Sequence, residues 1–452
     1  MRIRIQNALR SLPIATPKPP AKPLKLVAPP AGIEFNADFR RALDLIHVQR
    51  QSALITGRAG TGKSTLLRYF RAANPQSVVV LAPTGIAAVN VGGQTIHSFF
   101  KFPPRLIEPR DIRDAKPISG LRRLQTLVIE EVSMVRADLL DGIDLSLRLN
   151  RGDNRPFGGV QVVMFGDPLQ LPPIVREDGL KQYFADHYGT PYFFSARVFE
   201  RCPIPLIELQ KVYRQKDGRF LEALNRVREG TNIEEALELL NSRVHETVSV
   251  SGDAEITLTT TNARARAINQ ARLDAIQSEP KVYKAEVTGM FQASAYPTDR
   301  VLVLKRGARV MLVRNDSENR WVNGSLGTVE ELRESSAIVR VNGVCHEVAP
   351  ELWESVRYAY DRKKGRVAPT AVGEFEQLPL RVAYAVTIHK SQGQTFDQVV
   401  IDMDRGAFAP GQLYVALSRC RTLEGIRLVR PIDASDVIVD PRAREYRERF
   451  IG

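Results

Sequence analysis

From about residue 35 the chain alternates helical stretches with short apolar runs. Positions 39–48 carry apolar residues at helical spacing. Four short apolar runs follow, at 52–56, 78–82, 127–129 and 160–165, with helical or loop sequence between them. Near-continuous apolar strands separated by helices predict a parallel sheet covered on both faces. A second set of runs, at 205–209, 256–260, 382–387, 398–401 and 426–429, predicts a second α/β domain of similar size. Between the strands of that set the texture changes. Segments 309–313, 327–331, 337–341 and 344–348 read as short antiparallel strands around Asn323-Gly324 and Asn342-Gly343, dipeptides suited to tight hairpin turns. The expected organisation is an α/β chain: a first domain over 35–204, a second over 205–300 and 378–452, and a small β-barrel within 301–377. No repeat of solenoid period is visible.

The first 34 residues differ from the rest. Arg2, Arg4, Arg10, Lys18, Lys22 and Lys25 precede the first acidic residue, Glu34, and prolines cluster in 16–30. Proline disfavours helix and sheet ladders alike, so this stretch reads as a solvated, disordered arm. A basic arm on nucleic acid and an organelle presequence are the alternatives. Localisation therefore stays open between a nucleoid-associated cytoplasmic protein and an organellar or nuclear one. Lys and Arg number 64 against 51 Asp and Glu, a net charge of +13. That excess favours a polyanionic partner, although ribosomal and membrane-surface proteins share it. No apolar run is long enough to predict a transmembrane helix. Cys202, Cys345 and Cys420 lie far apart and form no metal-ligand pair, as expected in a reducing compartment.

The chemistry begins after the first predicted strand, with Gly57-Arg58-Ala59-Gly60-Thr61-Gly62-Lys63-Ser64 and then Thr65 at the start of a predicted helix. Glycines let backbone N–H groups curl around phosphate oxygens, Lys63 neutralises the β- and γ-phosphates, and the Ser64 hydroxyl can ligate Mg²⁺. Glycine-rich segments arise by chance, but strand–loop–helix context makes this one a nucleotide site, with Gly57, Ala59, Gly60, Thr61, Gly62, Lys63, Ser64 and Thr65 as its lining. The acidic half should end another strand. Glu130 and Glu131 follow the run at 127–129: Glu131 is placed to activate the attacking water and Glu130 to hold Mg²⁺. A third strand leads into Gly166-Asp167-Pro168-Leu169-Gln170-Leu171-Pro172-Pro173, where Gln170 can sense the γ-phosphate by hydrogen bonding.

At this density the motifs resemble a family. Ala82-Pro83-Thr84-Gly85, Thr95-Ile96-His97-Ser98-Phe99, the 166–173 segment, Tyr213-Arg214-Gln215, Trp321-Val322-Asn323-Gly324, the run from Ala385 to Thr395 and Tyr414-Val415-Ala416-Leu417-Ser418-Arg419-Cys420 resemble superfamily 1B DNA helicases of the Pif type, with RecD-like helicases as more distant relatives. The resemblance covers about 35–430. It implies two RecA-like P-loop motor domains with a small inserted SH3-like β-barrel. It also implies an ATP- and Mg²⁺-dependent enzyme moving 5′→3′ on single-stranded DNA and acting on tailed duplex or forks. Such an enzyme is expected to be a monomer that could assemble on DNA, with no membrane partner.

Residue by residue, the resemblance makes Thr84, Gly85, His97, Ser98 and Phe99 one grip on single-stranded DNA, and Thr387, His389, Lys390 and Ser391 the second, with Asn323 beside them. Phe99 could instead be core. It makes Arg214 and Arg419 the arginines that reach the γ-phosphate, and Gly393 with Gln394 the loop coupling nucleotide to DNA.

Two positions depart from the family. Glu130 stands where aspartate is usual, one methylene longer. The glutamine that usually reads adenine has no clear equivalent in 35–39, although Gln49 and Gln51 are near. The basic run Arg362-Lys363-Lys364-Gly365-Arg366 is a solvated face or a DNA contact. Other readings are a DNA-stimulated ATPase that remodels DNA–protein complexes without unwinding, a catalytically weak DNA-binding scaffold, and an RNA helicase.

Overall fold

The structure is a computed structural model. It describes residues 36–74, 78–113, 118, 120–175, 177–215, 217–244, 255–318, 320–321, 323–361 and 366–451. The basic arm and most of the 362–366 run lie outside these. Helix α1 (Ala37–Leu43) continues as a π-helical turn, Asp44–Val48, and leads into a parallel sheet. Its strands are β1 (Ala53–Gly57), β2 (Val78–Ala82), β3 (Gln94–Thr95), β4 (Thr126–Ile129), β5 (Gln161–Phe165) and β6 (Leu206–Leu209), in the order β3-β2-β4-β5-β1-β6. Side chains alternate across the strands, and both faces are buried. Ala53, Ile55, Val80, Val128 and Val163 pack against Leu66, Leu67 and Phe70 of α2 (Lys63–Ala73). Leu54, Leu81, Leu127, Ile129 and Met164 turn to the opposite side, where a longer helix, Ala137–Arg151, adds Ile143 and Leu147. The register Ile55↔Phe165 and Ile129↔Met164 brings the C-terminal ends of β1, β4 and β5 side by side. In a parallel sheet that edge is where ligands bind.

The run at 205–209, expected in the second domain, is instead β6, paired with β1 through Ile55↔Ile207. Hydrophobicity alone does not distinguish the last strand of one parallel sheet from the first of the next. The second sheet opens with β7 (Ile256–Thr259), after which the chain leaves it. The excursion comprises β8 (Pro280–Lys284), β9 (Glu286–Gly289), β10 (Val301–Lys305), β11 (Arg309–Leu312), β12 (Leu326–Leu332), β13 (Ala337–Val341), β14 (Val344–Val348), β15 (Glu351–Asp361), β16 (Arg366–Gln377) and β17 (Leu380–Val382). The chain then returns through β18 (Ala385–Thr387), β19 (Val399–Asp402) and β20 (Ile426–Leu428), giving the parallel order β18-β7-β19-β20. The excursion thus spans paired strands from 280 to 382, wider than the expected 301–377. The run expected as a single strand at 382–387 is two: β17 pairs with β11 and β18 with β7, so Ala383 and Tyr384 mark the crossing between sheets.

Within the excursion the strands are antiparallel. Five form the sheet β14-β13-β12-β11-β17, and the β10–β8 pair shares its core through Tyr283, Leu302, Leu304, Val310 and Val329. The Asn342-Gly343 turn takes positive φ at both residues (50° and 82°), as its sequence predicts. The long β15–β16 hairpin with β9 was not foreseen, and its Phe291, Trp353 and Phe375 cluster meets Val89 of the first domain. The last helix, Pro441–Ile451, returns to the first domain, where Tyr446 stacks on Phe194 at 4.4 Å. No helix among the described residues is long and apolar enough to cross a membrane.

Candidate active site

Between β1 and α2 the backbone turns through Gly60 (φ +79°) and Gly62 (φ +89°). A Cβ on Gly62 would lie 2.8 Å from the Phe39 ring, and one on Gly60 2.5 Å from Cβ of Arg214, so glycine is required for both conformation and space. The loop's N–H groups and the start of the 11-residue helix α2 form a concave anion site. Lys63 donates from Nζ to the carbonyls of Gly57 (2.6 Å) and Arg58 (3.0 Å), which hold the ammonium inside the loop. Burial lowers its pKa, against the opposing charges of Asp167, Glu131 and Glu130.

Glu130 and Glu131 follow β4 directly. Ser64 Oγ donates to Glu130 Oε1 at 3.3 Å, while the buried Oε2 has no hydrogen-bond partner. Burial, and next the charge of Glu131, push Glu130 up to about 8. An orphaned carboxylate oxygen beside a serine hydroxyl at the mouth of an anion loop suits a hard divalent cation such as Mg²⁺. No cluster of three His, Cys, Asp or Glu occurs among the described residues, so phosphate and water oxygens would have to complete its shell. The longer Glu130 side chain therefore still reaches the Ser64 hydroxyl. Glu131 sits at φ +52°, a left-handed conformation that turns its side chain into the cleft. Burial raises its pKa, countered by Lys63 and Arg419.

After β5, Gln170 Nε2 donates to Asp167 Oδ2 at 3.4 Å. Asp167 pairs bidentately with Arg228, from Nη2 at 2.8 Å and Nε at 3.0 Å. Arg228 belongs to Gly218–Glu229, whose Phe220, Leu224 and Val227 lie in the core of the second sheet. Both side chains of the pair are fully buried. Burial pushes the Asp167 carboxyl up, but the Arg228 charge and hydrogen bond override it and leave the pKa below the ordinary value. Arg447 of the last helix closes the far side, donating to Glu208 and Glu229.

The second sheet faces this array. Gln412–Leu417 is a buried helix, and its Tyr414 hydroxyl accepts the Ala59 N–H at 2.9 Å. Just beyond it, Arg419 is almost fully buried. It donates to the carbonyls of Val415 (2.9 Å) and Gln394 (3.2 Å), and burial, then Arg214, lower its pKa to about 9. Arg214 donates to Ser418 O at 3.0 Å, and Gln215 to the carbonyls of Ser418 and Cys420. The two arginines, Gly60 to Thr65, Glu130, Glu131, Gln170 and Gly393 line one cavity of about 820 Å³ between the sheets. Of the residues expected at the nucleotide site, all but Gly57, whose carbonyl holds Lys63, line it.

Phe39 and Tyr213, with ring centroids 6.5 Å apart, also line the cavity, whereas Gln49 and Gln51 lie before β1, at the opposite end of the sheet. Gln49 is bonded to Asp44 and Gln51 to Gln49, so neither supplies the missing base-reading glutamine. Sequence reasoning missed Gln392, Arg228 and Tyr414. Arg228 is a helix-interior arginine that without the fold reads as core or surface, but Gln392 and Tyr414 stood inside motifs already singled out.

The expected nucleic-acid residues are less uniformly placed. Thr84 caps Gly85–Asn90, accepting the Ala87 N–H, and Gly85 is so close to Ala295 that a Cβ would sit 2.6 Å from its Cβ. Ser98 and Gly85 open into a second cavity of about 350 Å³, bounded by Met290, Phe291, Gln292 and Glu354 of the excursion. His97 is half-buried, and burial followed by nearby Arg136 lowers its pKa. Phe99 corrects the expectation of base stacking: it is 4% exposed, in the first core, edge-on to Phe100 at 4.8 Å. Thr387 and Ser391 are corrected similarly. Both are buried, with Thr387 Oγ1 accepting the Lys390 N–H and Ser391 Oγ donating to Ile388 O, so their hydroxyls shape the turn. Lys390 is exposed and His389 half-buried at the surface of that turn. Asn323 donates its N–H to Asn315, and the adjacent Gly324 approaches Gln394.

Residues 34–238 match the PIF1-like helicase family, and 382–423 match the UvrD-like helicase C-terminal domain. The ATP-dependent DNA helicase Pif1 of Bdellovibrio bacteriovorus is 32% identical over 93% of this chain and 93% of its own length. This chain belongs to the PIF1-like helicase family. The human ATP-dependent DNA helicase PIF1 is 34% identical over 94% of this chain, which spans 65% of the human protein. A crystal structure of Bacteroides Pif1 helicase in complex with ADP-AlF3 and ssDNA is 36% identical, covers 92% of this chain and 97% of its own, and superposes with a TM-score of 0.68.

Proposed function

We propose that this chain is an ATP-dependent DNA helicase that moves 5′→3′ along single-stranded DNA and opens tailed or forked duplex. The observation that carries the reading is the cavity shared by two sheets: a glycine loop with Lys63 and the adjacent Arg214 on one wall, Arg419 on the other. In this reading Lys63 and the loop N–H groups bind the β- and γ-phosphates, and Ser64 and Glu130 hold Mg²⁺, which supplies charge neutralisation at the phosphates. Glu131 takes the proton of the attacking water, and Gln170 reports the presence of the γ-phosphate to Asp167. Arg214 and Arg419 exchange backbone carbonyls for phosphate oxygens as the cleft closes, since a guanidinium finger stabilises charge building on the transferred group. Lys390, His389, Thr84, Gly85 and Ser98 then meet the strand, and closure draws one set toward the other. The bound ligands of the related Bacteroides structure support both sites.

The excursion supports the SH3-like reading through its five short antiparallel strands and the β10–β8 pair around one core. ATP turnover with and without single-stranded DNA tests the whole: strong stimulation by DNA is expected in the wild type, and loss of turnover in Lys63→Ala and Glu131→Gln. Full turnover in Glu131→Gln would remove the catalytic assignment. Unwinding that needs a 3′ tail would reverse the polarity.

A further inference from the structure

The turn from Ile388 to Gln394 lies between the two candidate sites, and its middle residue reaches the wrong one for a DNA grip. Gln392 donates from Nε2 to Glu131 Oε2 at 3.0 Å, across the cleft between the sheets. The turn that carries it is braced on both sides. Ser391 N–H donates to Thr387 O at 3.0 Å, Gln394 N–H to Ser391 O at 3.0 Å, and Arg419 Nη1 reaches Ser391 O at 3.5 Å and Gln394 O at 3.2 Å. Gln392 thus projects from a braced turn whose outer face presents Lys390.

Glu131 is a non-glycine residue in the left-handed region at the end of a strand. A carboxylate with one oxygen tied to a fixed amide can present only the other to water.

We propose that Gln392 is a positioning residue for hydrolysis: its amide holds Oε2 of Glu131 so that Oε1 faces the attacking water. Because the amide is delivered by the turn that carries Lys390, a strand seated on that turn sets the geometry of the carboxylate without an intermediary. The inference rests on the reading of Glu131 as the water-activating group and of His389 and Lys390 as a DNA contact. It explains why this turn needs a long amide: the cleft separates the turn from the carboxylate, and only a side chain can span it.

The test compares Gln392→Leu, which keeps most of the volume and removes the donor, with Gln392→Asn, which keeps the donor on a shorter stem. In saturating single-stranded DNA, Gln392→Leu is expected to lower kcat about tenfold or more, since loss of about 1 Å of alignment can cost up to about a hundredfold. KM for ATP should move less than about twofold, as an interaction made to the catalytic group alone requires. Binding of a labelled oligo(dT), followed by fluorescence anisotropy, should match wild type. Gln392→Asn should recover part of kcat. Wild-type kcat in the leucine variant overturns the proposal, as does identical loss in both variants or a loss of oligo(dT) affinity that matches the loss of kcat. Lys63→Ala and Glu131→Gln measured alongside separate the two levels. If they still turn over ATP, the nucleotide reading itself fails; if they are dead while Gln392→Leu is unaffected, only the positioning role fails.

Discussion

The two parallel sheets are built alike and loaded differently. The first has six strands, the second four, and both bury apolar side chains on two faces. At its ligand-binding edge the first presents a glycine loop, a helix start, two glutamates and the side chains of Lys63 and Arg214. The second presents long side chains, Arg419, Gln392 and Tyr414, that cross the cleft to reach what the first holds. Backbone donors cannot withdraw, whereas a long side chain can exchange one acceptor for another. The first sheet therefore binds chiefly through its loop, and a change of the angle between the sheets is felt by every side chain that reaches across the cleft.

Arg419→Ala gives the strongest test of that division. Removing it should cut DNA-stimulated kcat by about 10³-fold or more in steady-state assays while binding of nucleotide to the glycine loop persists. Arg419→Lys should not restore it, because a single ammonium lacks the planar fork. Survival of most activity would mean that the second sheet only covers the site. Phe99→Ala sharpens the contrast on the nucleic-acid side. With its ring in the core it should lower stability by about 3–5 kcal/mol in urea unfolding, and Phe99→Leu should bind oligo(dT) like wild type. A base-stacking ring would instead lose about 1–3 kcal/mol of affinity in the leucine variant, with stability little changed. Tyr414→Phe is the mildest. It leaves the Ala59 N–H buried without its acceptor and should cost about 1–3 kcal/mol in the same unfolding measurement; an unchanged midpoint would show that water replaces the hydroxyl.

These cases also mark what could be read from the chain. The glycine loop, Glu130-Glu131 and Gln170 were legible because each follows an apolar strand, so sequence order already implies a shared edge. Strands β13 and β14 were legible to the residue because Asn342-Gly343 dictates the turn between them. The allegiance of β6 was not legible, since hydrogen-bonded neighbours in a parallel sheet are set by crossovers that hydrophobicity does not encode. Nor was the split of 382–387, where only Ala383 and Tyr384 separate two sheets. Phe99 shows the same limit at one residue, because an aromatic between Ser98 and Phe100 carries no sign of which way it points. The contacts Gln392–Glu131 and Arg228–Asp167 join positions 261 and 61 residues apart, and only the folded chain reveals them.

Arg228–Asp167 has a mechanical consequence. Taking one partner from a buried ion pair costs about 3–5 kcal/mol, and this one joins the two sheets where neither side chain touches water. A stroke that separated them at every turnover would surrender that energy each time. The pair is better kept closed as a fulcrum. On the helicase reading, the sheets then rotate about the floor of the chamber while its rim widens, and the travel of each proposed DNA contact is set by its lever arm from Asp167.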